Sequence, residues 1–283
     1  MFKETNTIHC IKHQMQGIAF VDLSYYVFFR YFALLRWSKI SNNEFLDDEN
    51  GHKMFLAKFS KLFEDNLVAL KKKHKFDWSS LYLVKDCVRS TIWRLELFSK
   101  YKQNRDESNR QAFDPKVFVH TYQELVPALM QKYGFNIIEY PKAEADDVIA
   151  VIHGLVRNKQ PDRKVLIITN DNDYVQLVDD NTTIMNLNKI ILSERFDAQM
   201  LSCFKIWKVI KGDVSDNIPP IDKNIGDKTA LKLALNPDML KKKLLDPRVR
   251  DQFELNLNLI DFDMIPRDLV NGIKASFNKF NWH

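Results

Sequence analysis

The sequence predicts an α/β fold: a central mixed, mainly parallel sheet with helices on both faces, followed by a helical unit. Three observations predict it. Short apolar runs alternate with helical stretches as far as about residue 195, the pattern of strands joined by crossover helices. Three of those runs close on an aspartate. From Asp197 onward only helical periodicity remains.

Residues 17–21, GIAFV, form the first apolar run, ending at Asp22, and an aromatic segment with helical spacing follows to about Trp37. Residues 52–74 read as an amphipathic helix. LYLVK at 81–85 is the second run, ending at Asp86, and 89–102 has helical character. The polar stretch 103–115 closes on Pro115, and a helix from about 116 to 133 leads into FNIIEY, a strand by its β-branched content. A helix beginning at KAEADD runs to about Asn158. KVLIIT at 164–169 is a strand ending at Asn170-Asp171, and TTIMNL with KIILSE reads as an antiparallel pair turning at Asn188. The expected division is residues 1–195 as an α/β core and 196–283 as a helical unit packed on it, with no flexible linker between them.

Composition narrows the function classes. The chain has 283 residues, 45% hydrophobic, enough for one large core or two modest ones. No apolar stretch approaches the roughly 20 residues of a membrane span, and MFKETNTIHC lacks the apolar centre of a signal peptide. Cys10, Cys87 and Cys203 lie far apart, which argues against a disulfide framework or a cysteine zinc site. The expectation is a cytoplasmic protein (host cytoplasm if viral). Net charge is +5, concentrated in KKKHK at 71–75, between Arg89 and Arg110, and in KKK at 241–243. Basic surface of this kind suits a polyanion but also ordinary helix ends.

The acids carry the chemistry. In open α/β sheets ligands sit beyond the carboxyl ends of the strands. Asp22, Asp86 and the pair Asp171 and Asp173 end three predicted strands, and Glu144, Asp146 and Asp147 crowd one helix start. A lone strand-end aspartate is usually a turn former or cap. Seven carboxylates on one rim need either raised pKa values or bridging cations. Hard oxygen donors in that number suit Mg²⁺ or Mn²⁺, and two such ions about 4 Å apart can drive phosphodiester cleavage. A structural Ca²⁺ site is the competing account, but DNDYVQLVDD lacks the glycine and terminal glutamate of an EF-hand loop. There is no HExxH and no GxSxG, and NIGDKTA is only superficially a Walker loop, with Asp227 between Gly226 and Lys228.

In KGDVSDNIPPIDKNIGDKTALKLAL a helix ends, the chain turns through Pro219-Pro220, and a helix restarts near Gly226. Gly226, Lys228 and Thr229 at that restart suit a backbone phosphate; a capped helix pair within a core reads equally well. Asp213 and Asp216 lie just ahead of the turn. In IWRLELFSKYKQNR, the cations Arg94, Lys102 and Arg105 follow Asp86, with Trp93 and Tyr101 between them. Cations beside an acid cluster can draw in a phosphate; aromatics there stack on bases or belong to the core.

VDLS at 21–24, VKD at 84–86, EADD at 144–147, TNDND at 169–173 and GDVSDNIP at 212–219 followed by GDKTA resemble, in order and spacing, the structure-specific 5′-nuclease (flap endonuclease) superfamily. WRLELFSKYKQNR and NLNLIDFDMIP are most similar to its T-even phage ribonuclease H branch. The likeness covers about residues 17 to 280. It implies a PIN-like nuclease core, a helical arch at about 89–133 and a helix–hairpin–helix (helix-three-turn-helix) duplex-binding element. Asp22, Asp86, Asp146 and Asp171 would form one metal site, with Glu144 and Asp147 supporting it through water. Asp173 and Asp216, with Asp213 in reach, would form the second. Arg94 and Lys102 would contact the scissile phosphate. The implied activity is Mg²⁺-dependent 5′–3′ exonuclease and flap cleavage with RNase H activity, two ions being bound and Mn²⁺ an alternative. The implied partners are branched or 5′-ended duplex DNA and RNA–DNA hybrid, bound by a monomer; a single-strand-binding protein or sliding clamp stays open as a protein partner, because no terminal clamp-binding peptide is recognised and recruitment to a replication fork does not follow. The family's glycine-rich turn is here IPPIDKNIG, longer and without two glycines, which leaves its K⁺ site open. A PIN-like ribonuclease and a catalytically dead adaptor for branched DNA are the rival readings; the first lacks the helical unit, and the second has no need of seven repelling carboxylates.

Overall fold

The computed structural model describes residues 17–40, 49–105, 113–280 and 282. The N-terminal segment with Cys10, and the middle of the polar stretch assigned to the arch, lie outside them. Five strands form one sheet: β1 (Ile18–Asp22), β2 (Leu81–Val84), β3 (Asn136–Ile138), β4 (Val165–Ile168) and β5 (Thr182–Met185). Their order is β3-β2-β1-β4-β5 and every neighbouring pair is parallel. The chain builds outward from β1 in one direction and then returns to build in the other, so the switch point lies between β1 and β4, where such sheets bind ligands. β1 is apolar on both faces, Ile18 and Phe20 entering one core and Ala19 and Val21 the other, as a central parallel strand must be.

The antiparallel component predicted around Asn188 shrinks to a single bridge, Met185 to Ile191. The reason is local. The Asn186 side chain accepts from the backbone N–H groups of Asn188 and Ile190, Lys189 turns with φ 68°, and the chain passes at once into a 3₁₀ turn at Ser193–Arg195.

Helices α1 (Leu23–Ile40) and α2 (Glu49–His74) cover one face. Phe55, Phe59, Phe63 and Leu67 recur every four residues along α2, and all four are fully buried. Phe63 lies edge-on to Tyr26, whose hydroxyl donates to the Phe63 carbonyl at 3.0 Å. The predicted helix over 89–102 breaks into a 3₁₀ turn (Arg89–Thr91), the short α3 (Arg94–Leu97) and further turns, because Phe98 is extended and Lys102 takes φ 57°. α4 (Pro115–His120), capped by Asp114, continues through a π turn (Thr121–Leu125) into α5 (Val126–Tyr133), which ends at the left-handed Gly134.

On the other face lies α6 (Ala145–Lys159). The C-terminal helices are α7 (Ala198–Lys211), α8 (Asp227–Ala234), α9 (Pro237–Lys243), α10 (Pro247–Ile260) and α11 (Arg267–Phe277). α11 brings Leu269, Ile273 and Phe277 into the same core as Val148 and Ile152 of α6. At the start of the connection from α7 to α8, Gly212 takes φ 74°, and a Cβ there would lie 2.5 Å from the carbonyls of Ile218 and Pro219. Among the described residues no helix is long and apolar enough to cross a membrane.

Candidate metal centre and nuclease site

The carboxyl ends of β1, β2 and β4 and the first turn of α6 open into one cavity of about 850 Å³. Asp22, Asp86, Glu144, Asp146 and Asp171 line it, facing Lys102, Arg105, Lys208, Asp213 and an aromatic wall of Phe196, Phe204 and Trp207. The strand-end aspartates are turn formers and rim acids at once. Asp22 accepts the Tyr25 N–H at 3.0 Å on Oδ1 and the Thr169 hydroxyl at 3.2 Å on Oδ2. Asp86 accepts the Ala145 N–H at 2.9 Å, a free donor of the α6 N-terminus, and the Ser24 hydroxyl at 2.5 Å. Asp171 accepts the Asp173 N–H at 2.9 Å.

No ion pair among the described residues reaches Asp22, Asp86, Asp146 or Asp171. Burial, then the neighbouring Asp86, pushes the Asp22 carboxyl up to about 7. Burial and the adjacent Asp147 push Asp146 well above the usual carboxylate range. Acids in this condition either hold a proton or take up a cation.

The other acids already have one. Arg94 forks onto Asp147 at 2.7 and 2.9 Å, reaches Glu144 at 2.9 Å and donates its Nε to the Leu259 carbonyl at 2.8 Å. Trp93 Nε1 donates to Asp147 at 2.9 Å, and Asp147 accepts the Glu144 N–H at 3.0 Å, as in a capping box. Arg94 is 2% exposed, donates to Asp147, Glu144 and Leu259, and does not line the cavity, so the structure places it behind the rim and not in the cavity where contact with a scissile phosphate was expected. Asp147 is fully buried and does not line the cavity. Burial would raise Glu144, but Lys102 and Arg94 outweigh it and hold the carboxyl at about 2.

Asp173, Asp213 and Asp216 form a second cluster, with one oxygen of each within 4.8 Å of the others. Lys208 pairs with Asp173 and, at 2.9 Å, with Asp213, while Arg105 pairs with Asp216. Burial would raise Asp213, but Lys208 and the Ser215 hydrogen bonds hold it at about 2. Asp173 and Asp216 stand behind the cavity lining. Gly226, Lys228 and Thr229 do not line the cavity either: Gly226 is the extended N-cap of α8 without a side-chain cap, and Lys228 and Thr229 are exposed. Sequence reading missed Lys208, which looks like an ordinary base in a helix's last turn, and missed Ser24 and Thr169; it took Tyr101 for a base-stacking or core aromatic, not for a hydrogen-bond donor to the acids. Tyr101 donates to Glu144 at 3.0 Å and Asp216 at 3.2 Å, and burial keeps its phenol protonated.

The model of the 5′-3′ exonuclease, N-terminal resolvase-like domain, matches residues 17–202. The chain belongs to that family. With the acid clusters, this makes it a metal-dependent nuclease. Ribonuclease H of Enterobacteria phage T4 is 24% identical over 228 residues, 75% of this chain and 73% of that protein. The 5′-3′ exonuclease of Buchnera aphidicola subsp. Acyrthosiphon pisum is 32% identical over 57% of the chain, which spans 54% of its length. DNA polymerase I of Deinococcus radiodurans is 32% identical over 53% of the chain, which spans only 17% of it. T5 5′-exonuclease with divalent zinc ions bound shares the fold at TM-score 0.66, with 19% identity, 94% of this chain and 99% of that one covered. A variant of the bacteriophage T5 flap endonuclease, in a pseudo-enzyme–product complex with DNA and metal ions, superposes with the same TM-score.

Proposed function

We propose that this chain is a Mg²⁺-dependent 5′-nuclease hydrolysing phosphodiesters near the 5′ end of branched or nicked duplexes, both DNA and RNA–DNA hybrid. It removes RNA primers or flaps in replication and repair. One observation carries the reading: four carboxylates from three parallel strand ends and a helix start share one cavity, and among the described residues none of the four is in an ion pair. Asp22, Asp86, Asp146 and Asp171 would hold the first ion, and Asp173, Asp213 and Asp216 the second. All-oxygen donors fit Mg²⁺, with Mn²⁺ next. Such ions supply an activated water and stabilise the leaving oxygen.

The chain's own residues do the rest. Lys102 and Arg105 face the cavity and draw in the phosphate. Arg94 holds Glu144 and Asp147, and with them the start of α6, in place. Gly226, Lys228 and Thr229 offer the α8 N-terminus to a duplex phosphate. Residues 196–283 act as the duplex-gripping unit, with the core ending near residue 195. Asn224, with φ 62°, supplies the left-handed turn a glycine would otherwise give, and the K⁺ site of that turn stays open. The protein works as a monomer.

The test is a forked substrate labelled at the 5′ end of its flap, incubated with Mg²⁺, with EDTA and Asp146→Asn as controls. Short labelled products only with metal and wild-type protein are expected. Uncut substrate with a gel shift would overturn the reading in favour of a binding adaptor.

A further inference from the structure

Two segments more than a hundred residues apart in sequence are stitched together at the mouth of the cavity. One, Lys100–Arg105, carries Lys102 and Arg105; the other, Asp213–Asn217, carries two acids of the second cluster. The Lys102 N–H donates to the Asp216 carbonyl at 2.9 Å, and Asn104 Nδ2 donates to the Val214 carbonyl at 2.6 Å. Arg105 Nε donates to the Ser215 carbonyl at 3.1 Å, and Asn217 Nδ2 donates to the Lys100 carbonyl at 2.8 Å. Each ends on a backbone carbonyl, so the two chain paths, not merely two side chains, are held in register.

The tie is polar rather than packed. Val214, at its centre, is 82% exposed. Both segments also hold a residue in the left-handed region, Lys102 at φ 57° and Asn217 at φ 61°, a conformation that costs non-glycine residues energy and persists where the surroundings over-determine it. Asparagine tolerates that region best among non-glycine residues, and its side-chain amide donates where an aspartate's carboxylate only accepts. Asn217 therefore does two things at once: it turns the chain back into the Asp213–Ile218 bridge and grips the neighbouring loop.

We propose that Asn217 is a positioning residue, locking the Lys100–Arg105 loop to the first turn of the α7–α8 connection, so that a duplex gripped at the far end of that connection sets where Lys102 and Arg105 stand over the acid rim. This rests on the nuclease reading above. It assigns to the tie a task distinct from binding or metal ligation: it carries alignment from the grip to the cations. Misplacing a reacting group by about 1 Å can cost on the order of 10²-fold in rate, while each exposed hydrogen bond is worth only about 1 kcal/mol of stability. The tie is thus cheap to cut and costly to lose.

Asn217→Gly keeps the left-handed turn and deletes the amide; Asn104→Ala cuts the same tie from the other side. Three measurements compare them with wild type: amide hydrogen exchange over 98–105 without nucleic acid, duplex affinity in chelator, and single-turnover cleavage of the flapped fork with Mg²⁺. Exchange should quicken about fivefold or more, affinity should stay within about twofold, and cleavage should slow about tenfold to a hundredfold. Unchanged exchange overturns the proposal, and so does a loss of affinity equal to the loss of rate. A wild-type protein that cuts nothing would sink the nuclease reading instead, and the exchange comparison would still decide whether the two segments are tied.

Discussion

Asp146 and Asp147 are neighbours in sequence and opposites in environment. Asp147 is fully buried, forked by Arg94 and bonded by Trp93, while Asp146 shares the cavity with Asp22, Asp86 and Asp171 and has no lysine or arginine in ion-pair contact among the described residues. The contrast runs around the whole rim. Glu144 and Asp213, buried but held down by lysines, sit at about 2; Asp22, pushed up by burial and then by Asp86, sits at about 7. An acid cluster is therefore two devices. Where the chain supplies the cation, an ion from outside has a competitor; where it does not, the carboxylates stand open to one.

Four experiments break or sharpen that contrast, the first three taken from the largest expected effect down. Asp146→Asn on the open side should cut cleavage by at least about 10²–10³-fold, the scale for losing one electrostatic contact to a transition state, with duplex affinity kept; cleavage near the wild-type rate would erase the distinction. On the closed side, Arg94→Ala strands buried carboxylates, and breaking such a pair costs about 3–5 kcal/mol. Urea unfolding should report that loss, and Arg94→Lys should recover only part of it because a lysine cannot make the fork.

Lys208→Met moves one cluster from the closed class to the open one. Calorimetric titration with Mn²⁺ should then find tighter binding, about tenfold, since Lys208 no longer competes for Asp173 and Asp213; unchanged affinity would mean the ion does not use that cluster. The last test lies away from the rim, at the middle of α6. Burial and Arg157 push His153 down to about 4, against about 6.5 unfolded. Between those values the unfolded chain binds the extra proton, so stability falls as pH falls, by up to about 1.4 kcal/mol per pH unit. His153→Gln should flatten the pH dependence of urea midpoints between about pH 6.5 and 4, which separates general acid instability from titration of the rim.

The strands were legible because their apolar runs are short and bounded, three of them by aspartate, and the four-residue spacing of Phe55, Phe59 and Phe63 marked α2 as plainly. The break-up of 89–102 was not legible. Helical spacing of its aromatics looks the same whether the residues form one helix or are pulled into separate buried contacts, as Trp93, Arg94 and Tyr101 are. Arg94 and Lys102 likewise look alike as cations following Asp86. Only packing shows that one is sealed behind the rim against Leu259 and the other faces the cavity.

Residue types and their order alone marked the parallel core, the convergence of acids on one rim and the preference for hard divalent ions, because strand-end position and donor chemistry are local properties. Which carboxylates keep their charge unanswered was decided by the tertiary structure. Neutralisation acts across a few ångströms of space, and the cations that supply it reach Glu144, Asp147, Asp213 and Asp216 from α3, α7 and the Lys100–Arg105 loop, in three cases across more than forty positions of sequence.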